Sequence, residues 1–121
     1  MRVLLVDDNR EINEVMSFYF QSKGNIEYKI LDNGKEALNL IKNERFDLIL
    51  LDLAMPEFSG PDILKELDEQ DLLRSKNIVI YSASSFNAER QKELVSLGTK
   101  GFLRKPPSLD DLNQTIDRFR P

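Results

Sequence analysis

The run Phe46-Asp47-Leu48-Ile49-Leu50-Leu51 is nearly all apolar, has the length of a strand, and ends abruptly at a carboxylate, Asp52. A short apolar run of this kind reads as a strand buried on both faces, and such a sheet needs helices above and below it. Three more runs repeat the pattern. Val3-Leu4-Leu5-Val6 precedes Asp7-Asp8-Asn9, Ile78-Val79-Ile80-Tyr81 precedes Ser82-Ala83-Ser84-Ser85, and Gly101-Phe102-Leu103-Arg104 precedes Lys105-Pro106-Pro107. Each time, the residues with chemical character follow the strand directly. Open α/β sheets bind ligands in the crevice beyond the carboxyl ends of their strands, so these residues are the ones to follow.

Helical patterns fill the intervals. Asn9 is placed to cap a helix whose Ile12, Val15, Met16, Tyr19 and Phe20 form one apolar face, ended by Gly24. Glu27-Tyr28-Lys29-Ile30 alternates, as an edge strand does. Asn33-Gly34-Lys35-Glu36 reads as a capping box before a helix with Ala37, Leu38 and Ile41 inside. Ser59-Gly60-Pro61-Asp62 opens a third helix that buries Ile63, Leu64 and Leu67. The next, from about Ala88 to Leu97, has only Ala88, Leu94, Val95 and Leu97 to bury and is expected to be loosely held. Ser108 caps the last, with Leu109, Leu112, Ile116 and Phe119 facing inward. Five strands alternating with five helices predict a doubly wound parallel α/β sheet with right-handed crossovers. At 121 residues, a single domain over residues 1–121 accounts for the whole length.

Composition narrows the chemistry. The chain has no histidine and no cysteine, which rules out a Ser-His-Asp triad, a thiolate nucleophile, an ordinary zinc site and the histidine side of a phosphoryl relay. A net charge of −4 argues against a nucleic-acid-binding face. No apolar run approaches the roughly 18 residues of a membrane span, and Met1-Arg2 leads straight into a strand without a signal-peptide pattern. With no cysteine, a cytoplasmic location is the expectation.

What remains is oxygen chemistry with a lysine. If the first and third strands are neighbours, Asp7, Asp8 and Asp52 meet in one crevice. Two carboxylate charges about 5 Å apart repel by roughly 3 kcal/mol at an effective dielectric of about 20, so three call for partial protonation or a bound cation. Oxygen-only ligands favour a magnesium-type ion, and the Ala54 backbone carbonyl is a further usable ligand. A cation beside a carboxylate, a lysine and a hydroxyl is the equipment of phosphoryl transfer, and a carboxylate can itself be the nucleophile. Asp52, on the central strand, is the candidate nucleophile; Asp7 and Asp8 are better placed to hold metal. Taken singly, each signal has a plain reading: paired acids cap helices, Lys-Pro makes turns, and a strand-end serine bonds backbone. Five of them at matching strand ends point to a site.

In Val6-Asp7-Asp8-Asn9, Asp52 with Met55-Pro56 and Gly60, Ser82-Ala83, and Phe102 with Lys105-Pro106, the chain resembles the receiver domain of two-component response regulators along its whole length. The resemblance implies a flavodoxin-like sheet in the order 2-1-3-4-5 flanked by five helices. It implies that Asp52 accepts a phosphoryl group from a sensor histidine kinase or a histidine phosphotransfer protein. Asp8, Asp52 and the Ala54 carbonyl are then the Mg²⁺ ligands, with Asp7 acting mainly through water. Lys105 pairs with Asp52 before transfer and with a phosphate oxygen afterwards. Ser82 swings its hydroxyl onto the phosphoryl group, helped by the Ala83 backbone N–H, and Phe102 is the switch aromatic that moves with it. The Lys105-Pro106 peptide is expected to be cis. Ala54 and Ser84 take the two variable positions that tune phosphoryl lifetime, and Ile12, Val15, Pro106 and Pro107 are the expected kinase-docking residues. For Ile12 and Val15 the alternative is a core role, and for Phe102 an ordinary core aromatic. Serine at 82 stands where threonine is commoner, and Pro107 where an aromatic is common.

These features favour a phosphorylation-controlled signalling switch that does chemistry on itself and is not an enzyme for a free substrate, with an unidentified downstream effector. An aspartate-nucleophile phosphatase carries a second Asp two residues after the nucleophile, where this chain has Ala54. A flavodoxin-like cofactor binder needs a Gly-rich phosphate loop after the first strand, where this chain has acids. A receiver fold used only for binding has no call for the full set of acids, serine and lysine.

Overall fold

The period of two along each strand decides which layer a side chain joins. In the computed structural model, which describes residues 1–83 and 87–121, the strands are β1 (Arg2–Val6), β2 (Glu27–Leu31), β3 (Leu48–Leu51), β4 (Ile78–Ser82) and β5 (Gly101–Arg104). All pairings are parallel and the order is β2-β1-β3-β4-β5. The helices are α1 (Arg10–Lys23), α2 (Gly34–Asn43), α3 (Gly60–Glu69), α4 (Ala88–Leu97) and α5 (Leu109–Phe119), with a 3-10 turn at Leu73–Ser75 that the sequence pattern does not announce. Val3, Leu5, Leu48, Leu50, Val79, Tyr81 and Leu103 pack on one face with Met16 and Phe20 of α1 and Leu112 and Ile116 of α5. Leu4, Val6, Ile49, Leu51, Ile78 and Ile80 form the other core with α2, α3 and α4. β2 lies at the edge, its Glu27 and Lys29 exposed.

Helix starts follow the capping signals. Asn9 Oδ1 accepts from Ile12 N at 3.1 Å and Asn33 Oδ1 from Glu36 N at 3.0 Å. Ser59 and Asp62 bond reciprocally, a full capping box. α3 buries Gly60, Ile63, Leu64 and Leu67, whereas α4 buries Leu94 and leaves Val95 51% exposed. That thin anchorage matches the expectation for this helix.

Ala88 and Val95 of α4 are exposed although the sequence counts them among its inward residues, and two positions of other helices depart from the inward stripe as well. Val15 is 67% exposed and Leu109 64% exposed, although the helical period puts both on the inward stripe. α1 rests on the sheet along Met16 and Phe20, and Val15 lies about 100° around the helix from Met16, at the rim. Leu109 opens α5, before the helix reaches the sheet at Leu112. No helix among the described residues is long and apolar enough to cross a membrane.

Candidate active site

Strand register brings the acids together. Val6 pairs with Leu51, so Asp7 and Asp52, the next residue of each strand, emerge side by side. Asp52 N donates to Val6 O at 3.0 Å, Asp7 N to Leu31 O at 3.0 Å, and Lys105 N to Ser82 O at 2.8 Å. These bonds fix the backbone of three chemically active strand ends. α3 presses on the same point: a Cβ on Gly60 would come within 2.5 Å of the Asp52 carbonyl oxygen and 2.7 Å of Leu53 Cα. Only glycine fits that approach.

Carboxylate oxygens of Asp7, Asp8 and Asp52 lie within 4.8 Å of one another. Asp7 is fully buried and Asp52 nearly so, while Asp8 is exposed. Lys105 Nζ sits 2.7 Å from Asp7 Oδ2 and 3.5 Å from Asp52 Oδ2, its side chain 7% exposed. The lysine therefore touches both acids and leans toward Asp7. Asp7 Oδ2 is met by that ammonium as an ion pair and by no further hydrogen-bond donor among the described residues. Asp7 Oδ1 accepts from Asn9 N at 3.0 Å, and Asp52 Oδ1 from Ala54 N at 3.1 Å. Burial raises the Asp52 carboxyl to about 6; the Ala54 N–H and Lys105 oppose that rise, and the neighbouring Asp7 adds to it.

One ammonium among three acids leaves a net negative cluster of carboxylate oxygens. Those residues fit a hard divalent cation of the magnesium type. Ser82, the last residue of β4, is buried, and Ala83 after it is exposed. Phe102 is half-buried on β5 against the α2-α3-α4 core, and borders a cavity of about 440 Å³ with Val95 of α4. The Lys105-Pro106 peptide is cis. Ser84, the second variable position, lies outside the described residues.

Ile12, Val15, Pro106 and Pro107 share one concavity of about 290 Å³ with Met16 and Leu112. Ile12 is half-buried against the core, but the exposed Val15 has no core role. Two neighbours of the acids escape sequence reasoning. Asn13 Nδ2 donates to Asp7 O at 2.8 Å, its only signal being a polar residue between Ile12 and Met16. Tyr81, fully buried beside the acids, is a hydroxyl-bearing ring at the end of an aliphatic strand.

Comparison with known proteins gives the same direction. The family model described as response regulator receiver domain matches residues 3–117. The transcriptional regulatory protein CrdR of Helicobacter pylori is 32% identical over 98% of this chain, which spans 54% of that relative. The chain spans about half or less of the length of the curated relatives it matches, down to 4% of a Dictyostelium discoideum hybrid signal transduction histidine kinase. Among solved structures, Vibrio cholerae chemotaxis protein CheY4 superposes with a TM-score of 0.82 at 29% identity, covering 98% of both chains. The response regulator TrrA of Thermotoga maritima, solved in complex with Mg²⁺ and BeF, superposes at 0.78 with 26% identity, also over 98% of both. On this match the chain belongs to the response regulator receiver domain family.

Proposed function

We propose that residues 1–121 form one cytoplasmic receiver domain that takes a phosphoryl group onto Asp52 and thereby alters a surface read by a downstream partner. The observation that carries this is the Asp52 carboxylate, buried between Asp7 and Lys105 at a strand end and held up to about 6. The donor is a phosphohistidine on a sensor histidine kinase or a histidine phosphotransfer protein. An Asp52 oxygen attacks phosphorus, a P–O bond forms, the P–N bond breaks, and the imidazole departs with the electron pair. Lys105 leaves its contact with Asp7 to meet a phosphoryl oxygen. Ser82 donates its hydroxyl and Ala83 its backbone N–H to the other oxygens, and Phe102 repacks against the thinly anchored α4 as Ser82 moves. The exposed groove of Ile12, Val15, Pro106 and Pro107 receives the donor protein.

Asp8, Asp52 and the Ala54 carbonyl would hold Mg²⁺, with Asp7 reaching it through water. When bound, the ion neutralises the clustered acids and attracts phosphoryl oxygens. The test is to incubate the protein with Mg²⁺ and acetyl phosphate and weigh it intact. A phosphoryl adduct on the wild type that is absent from Asp52→Asn is the expected result. A wild type that stays unmodified overturns the proposal.

A further inference from the structure

β4 reads Ile-Val-Ile-Tyr-Ser, and the fourth position breaks an aliphatic series with a phenol. Tyr81 is 0% exposed, and its hydroxyl has no hydrogen-bond partner among the described residues. A buried hydroxyl without a partner costs stability, so packing alone gives no reason for tyrosine here. Ile80 pairs with Leu51, which puts Tyr81 beside Asp52 at the next step of the register. Lys105 Nζ lies 5.2 Å from the Tyr81 ring centroid. The ammonium thus lies close to Asp7, Asp52 and the face of this ring.

From that arrangement we infer that Tyr81 is a positioning residue for Lys105, its ring holding the ammonium between the two carboxylates. Two acids at unequal distance bias an ammonium toward the nearer one. A ring face attracts a cation within about 6 Å, most strongly where water is excluded, and brings no negative charge to compete with the acids. The ring therefore supplies a wall along which Lys105 passes from Asp7 to charge arriving on Asp52. Its consequence for phosphoryl transfer rests on the function proposed above; the placement of the ring does not.

Two variants separate ring from hydroxyl. Tyr81→Phe keeps the ring and is expected to take a phosphoryl group from acetyl phosphate and Mg²⁺ at the wild-type rate. Tyr81→Leu is expected to be slower at saturating Mg²⁺ by about tenfold, the scale of one cation–π contact, with the half-saturating Mg²⁺ concentration unchanged. In proton NMR spectra, the terminal methylene protons of Lys105 should be shifted upfield by the ring current in wild type and Tyr81→Phe, and lose that shift in Tyr81→Leu. Thermal melting of each variant accompanies the rates. The inference is overturned if Tyr81→Leu keeps the wild-type rate, if Tyr81→Phe falls as far as Tyr81→Leu, or if Tyr81→Leu alters Mg²⁺ half-saturation alone. An unshifted Lys105 in wild type overturns it without any variant having to fold. A wild type that shows the shift but takes up no phosphoryl group supports the ring's placement and sinks the proposed function alone.

Discussion

The two ends of the sheet use the same residue types to opposite effect. At the amino end, Arg2 puts Nε on Glu27 at 3.0 Å, Nη2 on Glu44 at 2.7 Å and Nη1 on the Arg45 carbonyl at 2.6 Å, with its guanidinium 4.7 Å from the Phe46 ring centroid. Lys100, just before β5, donates to the carbonyls of Arg74 at 2.8 Å, Gly98 at 3.0 Å and Lys76 at 3.3 Å. Each cation there is matched to several acceptors. At the carboxyl end Lys105 divides itself between two acids, with a third nearby. The carboxyl groups record the contrast: the Arg2 hydrogen bond holds Glu44 below the usual carboxylate range, whereas burial lifts Asp52 above it. Charge at one end fastens the fold. At the other it is left under-neutralised, which is the state a site needs if an incoming ion or phosphoryl group is to find free energy there.

Exchanging the two lysines for an isostere tests that contrast most severely. Lys105→Met should slow acetyl phosphate labelling by about a hundredfold, the usual scale for one preorganised charge at a reacting centre. Lys100→Met should label at the wild-type rate and instead lose about 1 kcal/mol of unfolding free energy. That loss is held down because burial, with Arg74 and Arg118 nearby, already lowers the pKa of Lys100. Labelling rates and urea titrations on both proteins decide it. Equal effects of the two variants on labelling would erase the distinction between the ends.

The strained end should also carry a stability cost that depends on pH. The Asp52 carboxyl stands at about 6 in the folded protein, against about 3.9 in an unfolded chain. Below about pH 4 both states hold the proton and the group costs nothing. As pH rises from about 4 to 6, the unfolded chain gives up its proton and the folded one resists, so stability falls and stays reduced above that window. Without divalent cations, Asp52→Asn should therefore be more stable than wild type by about 2 kcal/mol near pH 8, with the gap closing near pH 4. Added Mg²⁺ should narrow the gap at pH 8 by binding the folded wild type. Urea unfolding across this range is the measurement, and a gap that widens toward acid would reverse the assignment of cost to Asp52.

How far the sequence reveals this molecule depends on whether a feature is local. The strand ends are legible because a buried strand carries its own signal: Asp7, Asp52 and Lys105 each follow one directly, and Ser82 closes its own. The caps at Asn9, Asn33 and Ser59 are legible because a cap contacts residues two or three ahead. Tyr81 against Lys105 is not: parity puts the ring on the α1-α5 face, but only the assembled β4-β5 edge brings the lysine over it. The inward stripes that the period assigns to α1, α4 and α5 are wider than the faces they bury for the same reason. The period identifies a face, but the line along which a helix touches the sheet is set by the packing of both.

That last point yields the smallest effect, at the rim of the acid end. Because Val15 and Leu109 are exposed, Val15→Ser and Leu109→Ser should each leave unfolding free energy within about 0.5 kcal/mol of wild type. Leu112→Ala, buried one turn after Leu109, should lose about 2 kcal/mol or more. Acetyl phosphate labelling should be unchanged in both serine variants, since a small donor needs no protein surface. Parallel urea titrations make the comparison. A serine variant that lost as much as Leu112→Ala would mean that its helix sits deeper on the sheet, closing the groove that Val15 shares with Pro106 and Pro107. The contrast between the ends would then reduce to the acids and Lys105 alone.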